Sequence, residues 1–385
     1  MAPWENLTDS ATLALNRSAT SAGDMEANRT DLQTLTQVLD MLELYYTPLI
    51  VVLGACGNIA SMLVLFLTKL RGQSSSFYLS ALAASDTGFL LTQLVGWLEE
   101  VHLPLLLQPV ICQLTQYVAN CCSFTSAWFV VAFTVERFVA VCYPLHRPSF
   151  CTVHRAKMVI ASLTAISALA NSYALVIIRP IPLDDGQMVC DIDFGRYPSV
   201  GFWLTTVDMV ATLVLPFLLI VLLNVQIARA ICRLELVRRM MYVSSAEHGT
   251  PRANSQQKIT KMLLIVSSVF LLLNLPAYVI RVWAFIATVT RSTTRSDLWL
   301  VLVQAVAHLL FQLNFAINFL LYCVSGQNFR RAVRALFCGT RQPASTRTST
   351  TLAENIPLTS LCRRSVHAVC SNGTAKRAVV RGSPI

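Results

Sequence analysis

Seven long apolar stretches restrict the fold of this chain more than any other feature of its sequence. They run from about residue 46 to 68, 77 to 98, 109 to 142, 158 to 178, 200 to 231, 259 to 286 and 298 to 324. A helix of about 20 apolar residues crosses the hydrocarbon core of a bilayer, where the protein itself must satisfy every backbone polar group. The stretches therefore predict an all-α membrane protein, a seven-transmembrane helix bundle.

The composition agrees with a membrane protein and leaves the meaning of the charge open. Hydrophobic residues make up 55% of the 385 residues and charged residues 13%, whereas soluble domains carry roughly 25% charged residues. This balance excludes an ordinary water-soluble enzyme. The formal net charge of +10 is compatible with binding to nucleic acid or to an anionic membrane leaflet, so the positions of the basic residues must decide.

Basic residues are concentrated in alternate segments between the spans. Of the 30 Lys and Arg residues, 22 lie in or beside the segments that follow spans one, three, five and seven. Because cytoplasmic segments carry an excess of Lys and Arg, this imbalance predicts an extracellular N-terminus and a cytoplasmic C-terminus. We expect a multi-pass protein of the plasma membrane, with membrane lipid and no nucleic acid among its partners.

The residues before the first span form a polar segment with three acceptor motifs for N-glycosylation. The motifs begin at Asn6, Asn16 and Asn28, and they predict that residues 1–45 are an extracellular glycosylated N-terminal tail. A fourth motif at Asn372 falls in the predicted cytoplasmic region and is expected to stay unmodified.

Two of the twelve cysteines fall at the predicted outer face. Cys112 lies at the start of span three, and Cys190 lies between spans four and five. Since thiols in an oxidising compartment tend to form disulfides, we expect these two to pair. The other cysteines lie in spans or inside, where they are interpreted as small buried hydrophobic side chains or reduced thiols.

Several short motifs follow one another along the spans. They are Gly57-Asn58, Leu82 to Asp86, Glu136-Arg137-Phe138, Tyr143-Pro144-Leu145, Pro216, Pro276 and Asn318 to Tyr322. In this order they resemble the motifs of a rhodopsin-like G-protein-coupled receptor, over about residues 46 to 338. The resemblance implies that residues 46–326 form the bundle. It also implies an extracellular ligand and a heterotrimeric G protein as partners.

The resemblance also implies two sites inside the bundle. A sodium and water pocket would use Asp86, Ser126, Asn314 and Asn318. An activation switch would use Glu136, Arg137, Phe270, Asn274, Pro276 and Tyr322. Two simpler interpretations remain open: a protonated Asp86 satisfied by neighbouring helices, and an Arg137 that only extends toward the membrane surface. The sodium ion would be allosteric, and no other metal or cofactor is expected.

The motifs depart from the family pattern at several positions. Asn274 stands where a tryptophan is usual in span six, and Phe319 stands where span seven usually has proline. Because phenylalanine keeps its backbone amide, we expect a smaller distortion of span seven. The motifs of spans six and seven are similar to those of invertebrate neuropeptide receptors. FMRFamide-type, myoinhibitory or sex-peptide-type, and thyrotropin-releasing-hormone-like receptors form this group.

The outer half of the predicted bundle offers acidic, basic and amide side chains to a ligand. These are Glu99, Asn120, Ser123, Asp208, Tyr278, Arg281, Gln304 and His308. Such a mixed lining suits a short peptide, whose carbonyls, terminal amide and basic side chains need different partners. The resemblance places Asn120 where amine receptors need an aspartate, which disfavours an amine ligand. For each residue, packing at a loop or at the lipid interface is the alternative.

The segment after span seven combines an amphipathic pattern with a polar tail. Residues 327–338 place Phe329, Val333, Leu336 and Phe337 on one face, which predicts an interfacial juxtamembrane helix. Cys338 at its end is a predicted palmitoylation site. Residues 339–385 are predicted to be a disordered cytoplasmic tail. Its predicted phosphorylation sites, for receptor kinases and then an arrestin, are Ser345, Thr346, Thr348, Ser349, Thr350 and Thr351.

A transporter or channel and an intramembrane enzyme are the alternatives to a receptor. A transporter or channel would also use a mid-membrane carboxylate such as Asp86, although the chain shows no internal duplication of broken helices. An intramembrane enzyme is not expected because the sequence contains no H-E-x-x-H or G-x-S-x-G motif. The sequence therefore favours a cell-surface receptor for a peptide over a transporter.

Overall fold

The computed structural model describes residues 22–101, 103, 105–182, 188–244, 251–290 and 298–337. Several predicted modification sites lie outside these residues, namely Asn6, Asn16, Cys338 and the phosphorylation cluster between residues 345 and 351. Asn28 lies on the first helix, in a stretch whose side chains are not described. The described part folds as a helical bundle with one short β-hairpin.

The main helices follow the order of the predicted spans. They are α1 (Ala22–Leu67), α2 (Ser74–Glu100), α3 (Pro109–Cys142), α4 (Val153–Ala170), α5 (Pro198–Asp208, Met209–Val214 and Leu215–Ser244), α6 (Pro251–Thr290), α7 (Leu298–Ala316 and Asn318–Ser325) and α8 (Gln327–Phe337). Short helical segments, Lys69–Gly72, Arg147–Phe150 and Ala174–Ile177, lie between them. The strands β1 (Ile178–Pro182) and β2 (Met188–Ile192) form the hairpin between α4 and α5.

Helix α1 begins much earlier than the predicted first span, at Ala22 instead of about residue 46. Residues 22–45 contain Glu, Ala, Leu, Gln and Met, which favour a helix, and contain neither Pro nor an internal Gly beyond Gly23. Because these residues are polar, the hydropathy of the sequence did not indicate that the helix begins before the membrane span. The helix therefore extends the span at its N-terminal end.

By length and composition, five helices of the described part are able to cross a membrane, and the bent helix α7 makes a sixth. Helix α2 is long enough but more polar, because it carries several serines, Asp86 and Glu99. Many large apolar side chains point outward, for example Leu53, Trp203 and Leu272. An apolar exterior of this kind is rare in soluble monomers and suits a lipid environment.

The interior contains two main apolar clusters, one toward each end of the bundle. On the Cys112 side of Asp86, Phe89 stacks on Phe315 with ring centroids 3.9 Å apart, and Phe311 packs against both. Toward Arg137, the larger cluster includes Leu82, Phe133, Ile220, Tyr322 and Phe329. We call these two regions the disulfide end and the Arg137 end.

The β-hairpin is fixed to the top of α3 by a disulfide. Cys112 and Cys190 are bonded, with Cα atoms 5.7 Å apart, and both side chains are buried. Cys190 on β2 faces Pro180 on β1 across the antiparallel pair. The predicted pairing of the two cysteines is confirmed, and it fixes the hairpin over the disulfide end.

Helix α5 contains a π-helical turn just before Pro216. Within it, the amide of Leu215 donates to the carbonyl of Val210, five residues earlier. In this pattern of bonds between residues five apart, the carbonyl of Ala211 would accept from the amide of Pro216. The proline nitrogen carries no hydrogen to donate. The indole Nε1 of Trp128 on α3 donates to this carbonyl at 3.0 Å, so a side chain replaces the missing helical bond.

Helix α7 is broken at Ile317, and its two parts are bent by 62°. The helix bends here although residue 319 is phenylalanine and keeps its backbone amide; that the distortion is smaller than with a proline stays a prediction. In a straight helix the carbonyl of Phe315 accepts from residue 319, but here it accepts from the side-chain amide of Asn58 at 3.0 Å. The Asn318 side chain turns to Asp86. Polar contacts to α1 and α2 therefore accompany the break without a proline.

Helix α8 returns across the Arg137 end of the bundle. Phe329 is buried against the rings of Tyr322 and Phe319, at centroid distances of 5.6 and 5.9 Å. Arg330 donates to the last carbonyls of α7, those of Cys323 and Val324, at 2.8 and 2.6 Å. The predicted amphipathic eighth helix is confirmed, and an arginine satisfies carbonyls where α7 ends.

Candidate ligand pocket and signalling switch

Two of the predicted ligand residues form an ion pair with each other. Arg281 on α6 places Nη2 3.3 Å from Asp208 Oδ2 on α5. The second carboxylate oxygen of Asp208 accepts from Thr212 at 2.9 Å. The sequence indicated both charged residues as separate ligand contacts, and it did not indicate that they neutralise each other. Thr212 lies one turn after Asp208, a spacing that favours contact within a helix.

His308 pairs with a residue that the sequence analysis did not select. Its Nε2 lies 3.1 Å from Glu43 Oε1 on α1 and 2.8 Å from the amide nitrogen of Gln312. Glu43 was assigned to the N-terminal tail because it precedes the apolar stretch. Its position about one and a half turns before Pro48 becomes informative only once α1 is known to continue through it.

The remaining predicted ligand residues are distributed around the same half of the bundle. Gln304 is only 6% exposed, and its Nε2 has no hydrogen-bond partner among the described residues. Tyr278 packs edge-on against Phe217, with centroids 6.3 Å apart. Among the described side chains, no hydrogen bond or ion pair joins the other three to this set; these are Glu99, Asn120 and Ser123, all half-buried.

Two of the residues predicted for the sodium pocket, Ser126 and Asn318, contact Asp86 in the structure. This carboxylate is fully buried on α2, and it accepts from Ser126 at 2.7 Å and from Asn318 at 2.5 Å. Asn314 is buried one turn before Asn318, without a hydrogen bond to the carboxylate. Carboxylate, hydroxyl and amide oxygens are hard ligands, so the donor set fits a small cation such as sodium.

Glu136 and Arg137 form a buried ion pair at the Arg137 end of α3. Their closest atoms are 2.5 Å apart, and the side chains are 5% and 7% exposed. Arg137 also donates to the Ser75 hydroxyl at the start of α2. Ser75 was not selected from the sequence because a serine at a helix start is most often an ordinary capping residue. The arrangement holds Arg137 against α2 and α3.

The other predicted switch residues lie along α6 and α7. Asn274 is buried and donates to the carbonyl of Phe270 at 2.7 Å, within the turn that precedes Pro276. Tyr322 is fully buried in the cluster at the Arg137 end, and its hydroxyl has no hydrogen-bond partner in the part of the chain that the structure describes. Both side chains are therefore enclosed by the bundle.

The sequence did not predict a hydrogen bond that joins α5 to α6. The Ser267 hydroxyl on α6 lies 3.0 Å from Asn224 Oδ1 on α5. Ser267 is buried, and no described residue forms a hydrogen bond with the buried amide nitrogen of Asn224. The sequence showed Asn224 as a departure from the tyrosine that is common there, but nothing in the sequence indicated its contact.

The comparisons with known proteins agree with this geometry. The family described as 7 transmembrane receptor (rhodopsin family) matches residues 57–322. The chain belongs to this family. The match includes the Asp86 pocket, the Glu136–Arg137 pair and the Asp208–Arg281 pair, and it leaves the transporter alternative without support. The predicted resemblance and the predicted fold class are both confirmed.

Individual relatives share 26–28% identity with this rhodopsin-family receptor. The FMRFamide receptor of Drosophila melanogaster is 26% identical over 310 residues, which are 74% of this chain and 52% of that receptor. Growth hormone secretagogue receptor type 1 of Sus scrofa is 28% identical over 309 residues, 77% of this chain and 83% of the relative. Somatostatin receptor type 4 of Rattus norvegicus is 27% identical over 295 residues, which are 75% of this chain and 71% of the relative. The chain thus spans about half of the FMRFamide receptor.

Proposed function

We propose that this receptor binds a short extracellular peptide at the disulfide end and activates a heterotrimeric G protein at the Arg137 end. The observation that carries the proposal is the Asp208–Arg281 pair, which places both charges between α5 and α6 in the half of the bundle that contains the disulfide. The names of the relatives support a peptide, since they refer to FMRFamide, growth hormone secretagogue and somatostatin. The chain is expected to act as a receptor and not as an enzyme.

The orientation of the protein is part of the proposal. The disulfide end would face the extracellular side of the plasma membrane, because a disulfide such as Cys112–Cys190 persists in an oxidising compartment. The Arg137 end would face the cytoplasm, where α8 brings Arg330, Arg331 and Arg334 to the membrane surface. Such basic residues favour contact with anionic lipid of the inner leaflet.

Activation would release Arg137 from the contacts that hold it. In the structure this guanidinium is engaged by Glu136 and Ser75, which corresponds to a resting arrangement. A ligand that binds both α5 and α6 would shift the population toward a state in which α6 moves outward. Arg137 would then be available to the G protein.

Several regulatory features are proposed on sequence evidence. A sodium ion at Asp86, Ser126, Asn314 and Asn318 would favour one conformation of the bundle. Palmitate on Cys338 would hold the end of α8 at the membrane. Phosphates on the tail between Ser345 and Thr351 would attract an arrestin after receptor kinases have acted.

The proposal is tested in cells that express the epitope-tagged receptor with a promiscuous G protein. A panel of synthetic neuropeptides should contain at least one that raises intracellular calcium at submicromolar concentration. Arg281→Ala should lower its potency by about 10-fold or more at equal surface expression, since a charged hydrogen bond contributes about 1.5–3 kcal/mol. A matched control is Arg155→Ala, an exposed arginine at the start of α4, away from the disulfide end. Unchanged potency with Arg281→Ala contradicts the site.

A further inference from the structure

Helix α7 is broken in a stretch whose own sequence supplies no cause for a break. The helical bonds end with the amide of Ile317, which donates to Leu313, and resume with the amide of Leu321, which donates to Ile317. Sharp kinks arise at Pro, at Gly or Ser pairs, at π-bulges or where a side chain enters the ladder of bonds. The bonds on both sides of this break are ordinary α-helical ones, and residues 313–321 contain neither Pro, Gly nor Ser. The cause therefore lies outside α7.

Helix α1 contacts the break through two glycines on one of its faces. A Cβ atom at Gly54 would lie 2.7 Å from Cβ of Ala316 and 2.9 Å from its Cα. A Cβ atom at Gly57 would lie 3.1 Å from Cβ of Phe319. Since residues three apart share a helix face, the two glycines form one surface against both sides of Ile317. Because glycine has no side chain, the backbone of α1 can approach α7 this closely.

Asn58, the neighbour of Gly57, bonds a backbone group that the break leaves open. Its Nδ2 donates at 3.0 Å to the carbonyl of Phe315, which in an unbroken helix would accept from the amide of Phe319. Asn58 is buried, and a buried carbonyl without a partner would be costly. The side chain of Asn58 thus enters the ladder of α7, and the short approach at Gly54 and Gly57 brings it there.

The second part of α7 would accept a proline, although the chain has none there. That part begins at Asn318, so position 319 lies in its first turn, where proline is tolerated. Proline at 319 would remove the bond to residue 315 from within the helix. We infer that Gly54, Gly57 and Asn58 of α1 are positioning residues that impose the break on α7 in place of a proline. This inference rests on the proposed function, because the part of α7 beyond the break carries Asn318 and Tyr322 of the proposed pocket and switch.

A thermodynamic cycle on the purified full-length receptor in detergent tests the inference. Gly54→Ala is combined with Phe, Pro or Ala at position 319, and the melting temperature of each variant is measured. With Phe319 the substitution should lower it by at least about 3 °C, because the added Cβ displaces α7. With Phe319→Pro the loss should be less than about half as large, since the break then persists when α7 moves away from α1. Phe319→Ala removes the same ring but keeps the amide, so it should not reduce the loss.

Asn58→Ala provides a second cycle that adds no atoms between the helices. It removes the bond to the Phe315 carbonyl, and Phe319→Pro should reduce its loss of melting temperature in the same way. This cycle decides the question if Gly54→Ala gives no folded receptor with any residue at position 319.

The matched control is another glycine at a tight contact between helices. A Cβ atom at Gly88 on α2 would lie 2.6 Å from Sγ of Cys122 on α3. Gly88→Ala should have the same effect with Phe, Pro or Ala at position 319, because the atoms nearest to the added Cβ belong to α3 and not to α7.

Basal nucleotide exchange on a purified heterotrimeric G protein connects the break to signalling. The contacts of α1 belong to the arrangement in which Glu136 and Ser75 hold Arg137. Their weakening in Gly54→Ala should therefore raise the basal rate at least about threefold, and Phe319→Pro in the same chain should reverse the rise. If neither the natural receptor nor any variant promotes exchange, the G-protein function is contradicted, while the melting temperatures still decide the inference.

The pattern of losses across position 319 supports or overturns the inference. A loss that Phe319→Pro reduces and Phe319→Ala does not supports it. Equal losses in all three backgrounds overturn it, as do unchanged melting temperatures for Gly54→Ala and Asn58→Ala or a failure of both to fold even with proline at 319. A loss in Gly88→Ala that Phe319→Pro also reduces overturns it, because proline then stabilises the bundle in general. The expected melting temperatures with an unchanged basal rate would overturn the role of the break in signalling.

Discussion

At the scale of single residues, Asp86 connects three helices of the bundle. A carboxylate deep in a membrane protein is costly unless neighbouring groups satisfy it. Ser126 on α3 and Asn318 on α7 both donate to Asp86 on α2. The bend of α7 and the position of Asp86 are therefore coupled, and a change at this one carboxylate reaches three helices.

Replacement of Asp86 by asparagine tests the proposed sodium site. The variant keeps the size of the side chain and removes the negative charge that a cation needs. Basal G-protein activation of the natural receptor should depend on sodium when it is exchanged for N-methylglucamine at constant ionic strength. In Asp86→Asn this dependence should disappear. A variant that responds to sodium as the natural receptor does would show that the ion acts elsewhere.

The hydrogen bond between Ser267 and Asn224 is expected to favour the resting state. It joins α5 to α6 in the half of the bundle where α6 must move. A hydrogen bond contributes about 1 kcal/mol, so its removal in Ser267→Ala should raise the active population about fivefold. Basal nucleotide exchange per receptor at the surface measures this. Thr164→Val serves as the control, because its hydroxyl bonds only within α4.

At the scale of the elements, proline does not by itself decide where helices are distorted. Pro216 follows a π-helical turn, Pro276 lies inside a continuous α6, and α7 breaks at Ile317 with no proline nearby. In α5 and α7 a side chain from another helix bonds the affected carbonyl, from Trp128 and Asn58 respectively. Distortions in this bundle are therefore fixed by tertiary contacts, and local sequence alone does not predict them.

Trp128 tests this view of α5. Trp128→Phe keeps an aromatic ring and removes the indole N–H, which leaves the carbonyl of Ala211 without that donor. A buried acceptor without a partner costs about 1–3 kcal/mol, so the melting temperature of the purified receptor in detergent should fall by several degrees. Trp203→Phe is the matched control, since Trp203 is 66% exposed on the outer surface of α5. Equal losses in both variants would contradict the role assigned to Trp128.

For the whole molecule, the hydropathy of the sequence was sufficient to predict the helix bundle. The positions of the cysteines relative to the predicted spans were sufficient to predict the disulfide. Apolar length determines which segments cross a membrane, and Cys112 and Cys190 were the cysteines at the predicted outer face. Pairings between distant helices were not predictable, because Glu43 and His308 are 265 residues apart. Their contact depends on how α1 and α7 pack.

The proposed orientation makes a prediction for the complete protein. Treatment of the expressed receptor with an N-glycosidase should increase its electrophoretic mobility. Substitution of all three extracellular acceptors, Asn6→Gln, Asn16→Gln and Asn28→Gln, should abolish the shift, since glycans are added only outside the cytoplasm. Asn372→Gln should have no effect. A glycan on Asn372 would place the C-terminus outside and contradict the orientation.

The neutrality of the Asp208–Arg281 pair also has a kinetic meaning. A site with a net charge draws oppositely charged ligands from a distance, and salt weakens that attraction. A balanced pair produces only a short-range field, so it adds little to the rate at which a ligand arrives. Its contribution lies in the lifetime of the complex. Variants that unbalance the pair should therefore alter the dissociation rate and introduce a dependence of association on ionic strength.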